Sequence, residues 1–157
     1  MRTGIGFDIH RFGEGDEVIL GNVRIPYNSK LTGHSDADVL LHAICDAMLG
    51  AAGEGDIGIQ FPNTDVSFKG ISSLELLKRT KNIIMQKGFS VSNLDSVVIA
   101  EAPKILPYRD AMISNIAGAL EIDISQVNVK ATTSEGIGAI GKGEGISAYA
   151  VCLLTYV

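Results

Sequence analysis

This chain of 157 residues has only two cysteines, Cys45 and Cys152, and they form no C-x-x-C pair. That spacing gives no disulfide framework, and both thiols lie among apolar neighbours, where buried inert cysteines are expected. No apolar run reaches the ~20 residues that a membrane span needs, so no membrane partner is expected. There is no cluster of lysines and arginines, which excludes an obvious nucleic-acid surface. The N-terminal MRTGIGFDIH lacks the apolar core of a signal peptide and the Arg/Ser-rich character of a transit peptide. A cytoplasmic protein is expected, with a plastid-type organelle open if a transit peptide has been removed. Internal repeats, low-complexity segments and linkers are missing too, so residues 1–157 read as one domain of ordinary size.

Hydrophobic residues make up 46% of the chain, enough for a sizeable core. Net charge is −5, from 13 Lys and Arg against 18 Asp and Glu. An acidic chain that binds a polyphosphate must neutralise it with metal ions, helix N-termini and a few placed lysines.

Hydrophobic periodicity and turn residues set the expected elements. Gly4 to Phe12 reads as a strand, and EVILGNVRIPY as a hairpin turning at Gly21-Asn22. SDADVLLHAICDAMLG reads as a helix, with Ser35 as N-cap in a capping-box pattern with Asp38, and Gly50 as the stop. GDIGIQFPNTD reads as a loop. Ser72 with Glu75 caps a helix running to about Lys87, where Gly88 ends it. Val91 to Ala100 and Val127 to Thr133 read as strands. Between them lies a helix, Arg109 to Leu120, with Met112, Ile113, Ile116, Ala117 and Leu120 at helical spacing. A glycine-rich loop precedes a last strand from Ser147 to Val157. The order is not strictly alternating, so the expected fold is α+β, a mixed β-sheet covered on one face by helices.

Asp8 and His10 are two apart on a strand and so point to one face. His42 lies in the middle of an otherwise apolar helix. Two imidazoles and a carboxylate suit zinc, with the fourth tetrahedral position open; the alternative is a hydrogen-bonded Asp and a satisfied His. Asp46, one turn after His42, is placed to orient that imidazole. His34 and Ser35 fall at the expected helix N-terminus, where free N–H groups attract an anion; plain helix capping is also expected there, and the two readings are compatible. In KATTSEG, Thr132, Thr133 and Ser134 offer hydroxyls and Glu135 a hard oxygen for a magnesium-type ion, or they form a polar turn. Lys104 is one of few cations near a candidate site. GIGAIG fits G-x-G-x-x-G, but a dinucleotide site needs a further helix, a strand and an acidic residue beyond it, so that reading is rejected.

Taken together, GFDIHRFG, GHSDADVLLHAICDAMLGAAGEGDIGIQFPNTD, IAEAPKILPY and VNVKATTSEGIGAIGKGEGI closely resemble the 2-C-methyl-D-erythritol 2,4-cyclodiphosphate synthase family, from about Gly4 to the final strand. The resemblance implies conversion of 4-diphosphocytidyl-2-C-methyl-D-erythritol 2-phosphate to the cyclic diphosphate with release of CMP, in the non-mevalonate route to isoprenoids. It implies zinc on Asp8, His10 and His42, and magnesium or manganese on Glu135 and substrate phosphates. His34 and Thr133 match a transition-state-stabilising pair, and Ser35 and Asp46 join the substrate-binding set. Asp56 and Gly58, flanking Ile57, match ribose contacts. Phe61, Pro62, Asn63, Thr64 and Asp65 match the part facing the methylerythritol phosphate. Ala100, Glu101, Ala102, Pro103, Lys104, Ile105 and Leu106, with Ala131, Thr132, Thr133 and Ser134, match the cytidine and phosphate pocket. The family implies a homotrimer with sites between subunits. It also implies an axial cavity for an isoprenoid diphosphate or small anion.

Three positions depart from the family pattern: Asn63 where Asp is common, Ala139 where Phe often stands, and Lys142 where Arg often stands. The last two concern the axial cavity, so its ligand is the affected expectation. A metal-dependent phosphohydrolase on the same residues and a non-catalytic isoprenoid-diphosphate-binding trimer are the competing readings. The chain lacks the length for a fused cytidylyltransferase domain, so a monofunctional enzyme is expected.

Overall fold

The computed structural model describes residues 1–157. Strands β1 (Arg2–Gly13), β4 (Lys30–Leu31), β5 (Phe89–Ile99), β6 (Val127–Thr132) and β7 (Gly145–Tyr156) form a five-stranded sheet in the order β4-β1-β7-β5-β6. β5 and β6 are parallel and the other neighbours antiparallel, so the sheet is mixed, as expected. β2 (Glu17–Leu20) and β3 (Val23–Pro26) form a separate hairpin. Its turn falls at Gly21-Asn22, both with positive φ, which matches the right-handed twist of the arms.

Helices α1 (Val39–Ala52), α3 (Ser73–Gln86) and α4 (Arg109–Leu120) cover one sheet face, and single turns α2 (Ile57–Gln60) and α5 (Gly138–Gly141) lie in the connections. The core of 38 buried residues lies between α1, α3, α4 and the sheet. Met112, Ile113, Ile116, Ala117 and Leu120 are all buried, as their spacing predicts. Cys45 and Cys152 are buried and free, and burial pushes both thiols up to about 12. No helix is long and apolar enough to cross a membrane.

Alternation along β1 puts Gly4, Gly6, Asp8 and His10 on the helix side and Ile5, Phe7 and Ile9 on the other. The two glycines let α1 press directly on the strand. A Cβ at Gly4 would lie 2.1 Å from the Ala47 carbonyl oxygen, and one at Gly6 would lie 1.9 Å from that of Ala43. No other side chain fits, and this close approach brings His42 to Asp8 and His10.

The opposite sheet face has no helix over it. Ile5 is 69% exposed, and Phe7, Ile9, Tyr149 and Val151 are exposed beside it. Register pairs Ile5 with Val151 and Phe7 with Tyr149, so these side chains form one continuous apolar patch.

The start of α1 differs from the sequence expectation. Asp38, not Ser35, is the N-cap, and its side chain accepts from Leu41 N–H. Ala37 is left-handed at φ 57°, which bars helix before it. α1 also runs through Gly50 to a left-handed Gly53, whose N–H bonds the Leu49 and Gly50 carbonyls. A glycine alone does not end a helix while the buried face continues, and Ala51 and Ala52 are buried. The presumed 55–65 loop contains α2, whose cap Asp56 accepts from Ile59 N–H. α3 starts at its expected cap, Ser72, which accepts from Glu75 N–H.

Candidate metal centre and active site

Asp8, His10 and His42 converge as predicted. Their ligand atoms lie within 4.8 Å of one another, and the group can hold a metal ion. Asp8 Oδ2 lies 2.8 Å from His10 Nε2 and 2.9 Å from His42 Nδ1, and the two ring nitrogens are 3.3 Å apart. Burial raises the Asp8 carboxyl, but hydrogen bonds from His10 and then His42 outweigh it and hold the group at about 2. His10 moves upward, chiefly through its bond to Asp8 and against the effect of burial. This is a site that holds one carboxylate charge at neutral pH and keeps two imidazoles against it.

The outer ring nitrogens are also partnered. His10 Nδ1 lies 2.9 Å from the Thr32 carbonyl oxygen. His42 Nε2 lies 2.9 Å from Ser73 Oγ and 3.1 Å from Ser35 Oγ. Asp46 does not orient His42. Its Oδ1 accepts from Ile57 N–H at 2.8 Å, tying α1 to α2, and burial raises its carboxyl. Ser73, which the sequence reading passed over, takes that place. Its only sequence signal is that it follows the cap residue Ser72.

The triad opens into a cavity of about 190 Å³. His34 and Ser35 stand on the same wall, and Ile57, Gly58, Phe61 and Asn63 line the cavity with Phe68, Ile71 and Leu76. Pro62 is half-buried, and Thr64 and Asp65 are exposed beyond Asn63. The Leu41 amide at the α1 N-terminus is occupied by the Asp38 carboxylate, so that one N–H is not free for an anion. His34 is exposed at the rim.

The remaining predicted residues gather elsewhere on the chain. Thr133 Oγ1 donates to Glu135 Oε1 at 3.2 Å, and Ser134 N–H donates to Glu101 at 2.7 Å. Glu135 is left-handed at φ 52°, which turns the chain after β6. Ala100 N–H donates to the Thr132 carbonyl, pinning 100–106 beside β6. A second cavity lies there, lined by Ile105, Leu106, Arg109, Asn128, Val129, Lys130 and Ala131. Lys104 is exposed next to it, and Ala102 and Pro103 are half-buried. Ala139 lines a third cavity with Ile9, His10, Arg11, Ile140, Glu144 and Gly145, while Lys142 is exposed outside that lining. None of these cavities is lined by both groups: the triad group and the Thr133/Glu135 group are separate.

The YgbB family model matches residues 1–155. The chain is 55% identical over 154 residues to the 2-C-methyl-D-erythritol 2,4-cyclodiphosphate synthase of Desulforamulus reducens, covering 98% of each chain. It is 53% identical to the enzyme of the same name from Clostridium acetobutylicum, covering 98% of this chain and 99% of that one. Among solved structures, the bifunctional IspDF of Campylobacter jejuni superposes with a TM-score of 0.95 at 46% identity, covering 99% of this chain and 42% of that one. IspF of Plasmodium falciparum in a CDP complex superposes at 0.85 with 38% identity, covering 99% and 96%.

Proposed function

The chain belongs to the YgbB family, and from this membership we propose that it is a 2-C-methyl-D-erythritol 2,4-cyclodiphosphate synthase acting in the cytoplasm. The observation that carries the reading is the convergence of Asp8, His10 and His42 in a chain alike end to end to enzymes of that name. The substrate is 4-diphosphocytidyl-2-C-methyl-D-erythritol 2-phosphate. An oxygen of its 2-phosphate bonds to the β-phosphorus. The bond from that phosphorus to the oxygen bridging to the cytidine phosphate breaks, and CMP leaves with the electron pair. The nucleophile already carries charge, so the protein needs no strong base; it must position phosphates and neutralise their charge.

Asp8, His10 and His42 are proposed to hold zinc. Bonds of ~2.0–2.1 Å in a tetrahedron imply donor separations of roughly 3.3 Å, and the triad's 2.8, 2.9 and 3.3 Å need only a small outward movement of Asp8. Glu135, beside the Thr133 hydroxyl, offers hard oxygens that suit magnesium or manganese. When bound, these ions supply Lewis acidity and charge neutralisation to the phosphates. His34 and Thr133 are proposed to donate to the oxygens of the transferring phosphoryl group, where charge develops. Asp56 and Gly58 are proposed to hold the ribose, residues 61–65 the methylerythritol phosphate, and 100–106 with 131–134 the cytidine phosphates.

Those two groups are separate on one chain, and we infer that a homotrimer joins them at subunit boundaries. The triad cavity, about 190 Å³, falls below the ~300–1,000 Å³ usual for small-molecule sites, as a half-site would. The open apolar patch around Phe7 and Tyr149 supplies a surface for assembly. Ala139 offers little area to a prenyl chain, and Lys142 is a point charge without arginine's planar fork. An axial cavity in this protein is therefore proposed to favour a small anion or short diphosphate.

Phosphorus NMR of the reaction tests the function. The expected products are CMP and a cyclic diphosphate. An open monophosphate or inorganic phosphate would instead mark a hydrolase using the same residues, and no turnover would mark a binding protein.

A further inference from the structure

A metal-bound imidazole nitrogen carries no proton, so a neutral histidine ligand must hold its proton on the other nitrogen. For His10 the structure decides this simply. Its Nδ1 faces the Thr32 carbonyl, which only accepts, so Nδ1 carries the proton and Nε2 faces Asp8 and His42. His42 is harder to settle, because both neighbours of its Nε2 are hydroxyls, which donate or accept.

Asp36 resolves the direction. Ser73 Oγ lies in a short hydrogen bond with Asp36 Oδ1, and Ser73 is wholly buried, so water offers it no other acceptor. A carboxylate only accepts, so the Ser73 O–H donates to Asp36 and its oxygen is left to accept from His42 Nε2–H at 2.9 Å. Asp36 is itself held in place: Ser73 N–H donates to its Oδ2 at 3.0 Å, and Asp38 N–H donates to its Oδ1 at 3.3 Å. Nothing comparable fixes Ser35, which is half-buried and whose Oγ accepts from Ala37 N–H at 3.3 Å.

We propose that Ser73, aimed by Asp36, holds the Nε2 proton of the metal-bound His42, so that Nδ1 presents its lone pair to the metal position. Ser73 is a positioning residue: it does not line the triad cavity and acts only through the outer nitrogen of His42. The chain Asp36–Ser73–His42 also ties the metal position to the first residue of α3, so the ligand's orientation depends on how α3 docks against α1. This proposal rests on the reading of Asp8, His10 and His42 as a metal site.

Two readouts test it, neither of them turnover. In zinc-loaded protein labelled with ¹⁵N-histidine, the three histidines give separable ring signals, and the His42 Nε2–H is expected as a slowly exchanging proton held by Ser73. In Ser73→Ala the Nε2–H loses its buried acceptor, so that proton should exchange with solvent markedly faster. The same variant should bind zinc roughly 10–100-fold more weakly in competition with a chromophoric chelator. Ser73→Thr should restore both readouts, and Ser35→Ala should leave both near those of the parent. Asp36→Asn, which keeps an acceptor oxygen but removes the charge, should move both in the same direction by less. This variant decides the matter should thermal melting show Ser73→Ala to be unfolded. The proposal is overturned if Ser73→Ala or Asp36→Asn leaves Nε2-proton exchange and affinity unchanged, or if Ser35→Ala produces the loss instead. A parent that binds no zinc would sink the metal reading, whereas a parent that binds zinc with both variants unchanged would sink the relay alone.

Discussion

Replacing Asp38 should damage stability far more than the usual helix-cap change. This carboxylate is completely buried and accepts three backbone N–H groups: Gly21 and Leu41 on Oδ1 at 3.0 and 3.1 Å, and Asn22 on Oδ2 at 2.8 Å. It thus joins the hairpin turn to the start of α1, one turn before His42. Asp38→Ala orphans all three donors at ~1–3 kcal/mol each, or about 5 kcal/mol after partial relaxation. Unfolding entropy of ~2.1 cal/mol/K per residue makes each kcal/mol worth about 3 °C in a chain of 157 residues, so Tm should fall by about 15 °C. Asp38→Asn keeps the oxygen that serves Gly21 and Leu41 but sets an NH₂ against Asn22 N–H, so a smaller loss of about 3–9 °C is expected. Burial, against the three hydrogen bonds, pushes the Asp38 carboxyl up to about 6 from 3.8. The folded state therefore binds a proton more readily than the unfolded state, and this group's contribution to stability rises as pH falls from about 6 toward 3.8. Thermal melts of the parent and both variants at pH 7.5 and pH 4.5 check this. The order parent, Asn, Ala is expected, with the gap between parent and Asn widening at pH 4.5. An Ala variant within about 1 kcal/mol of the parent, or a gap that narrows on acidification, would refute the reasoning.

Three further outcomes follow from other parts of the molecule. Gly6→Ala puts a Cβ 1.9 Å from the Ala43 carbonyl, so α1 must retreat; zinc affinity measured by chelator competition should fall at least about tenfold, and unchanged binding would contradict the glycine's role. Glu135→Gln should leave zinc content near normal while sharply changing the magnesium or manganese dependence of turnover, and an unaltered metal titration would remove Glu135 from the site. Calorimetry with geranyl diphosphate should show tighter binding by an Ala139→Phe/Lys142→Arg variant than by the parent, and equal binding would remove these two residues from consideration.

Much of the centre was legible in local patterns. Period-two spacing placed Asp8 and His10 on one face, and helical periodicity placed His42 inside an apolar helix. Their meeting depends on Gly4 and Gly6 admitting the backbone of α1, a contact between segments about 40 residues apart that no local spacing reveals. Local patterns misled where a side chain had two uses. Ser35 looked like a cap because a serine preceded an apolar run, yet left-handed Ala37 moves the helix start to Asp38. Asp46 sits one turn from His42, but the amide of Ile57 takes its carboxylate. Ser73 reaches His42 from another helix, so its part depends on α3 docking against α1. The separation of Thr133 and Glu135 from the triad is likewise a property of the folded chain.

A subunit-mixing assay tests the shared site most directly. His42→Ala removes a ligand on one side of the proposed boundary, and Thr133→Ala removes a donor on the other. Each variant alone should be inactive. Trimers shown by mass to contain both chains should recover part of the parent's CMP release, because some boundaries pair two intact halves. Verified mixed trimers that stay inactive would contradict a site built between subunits.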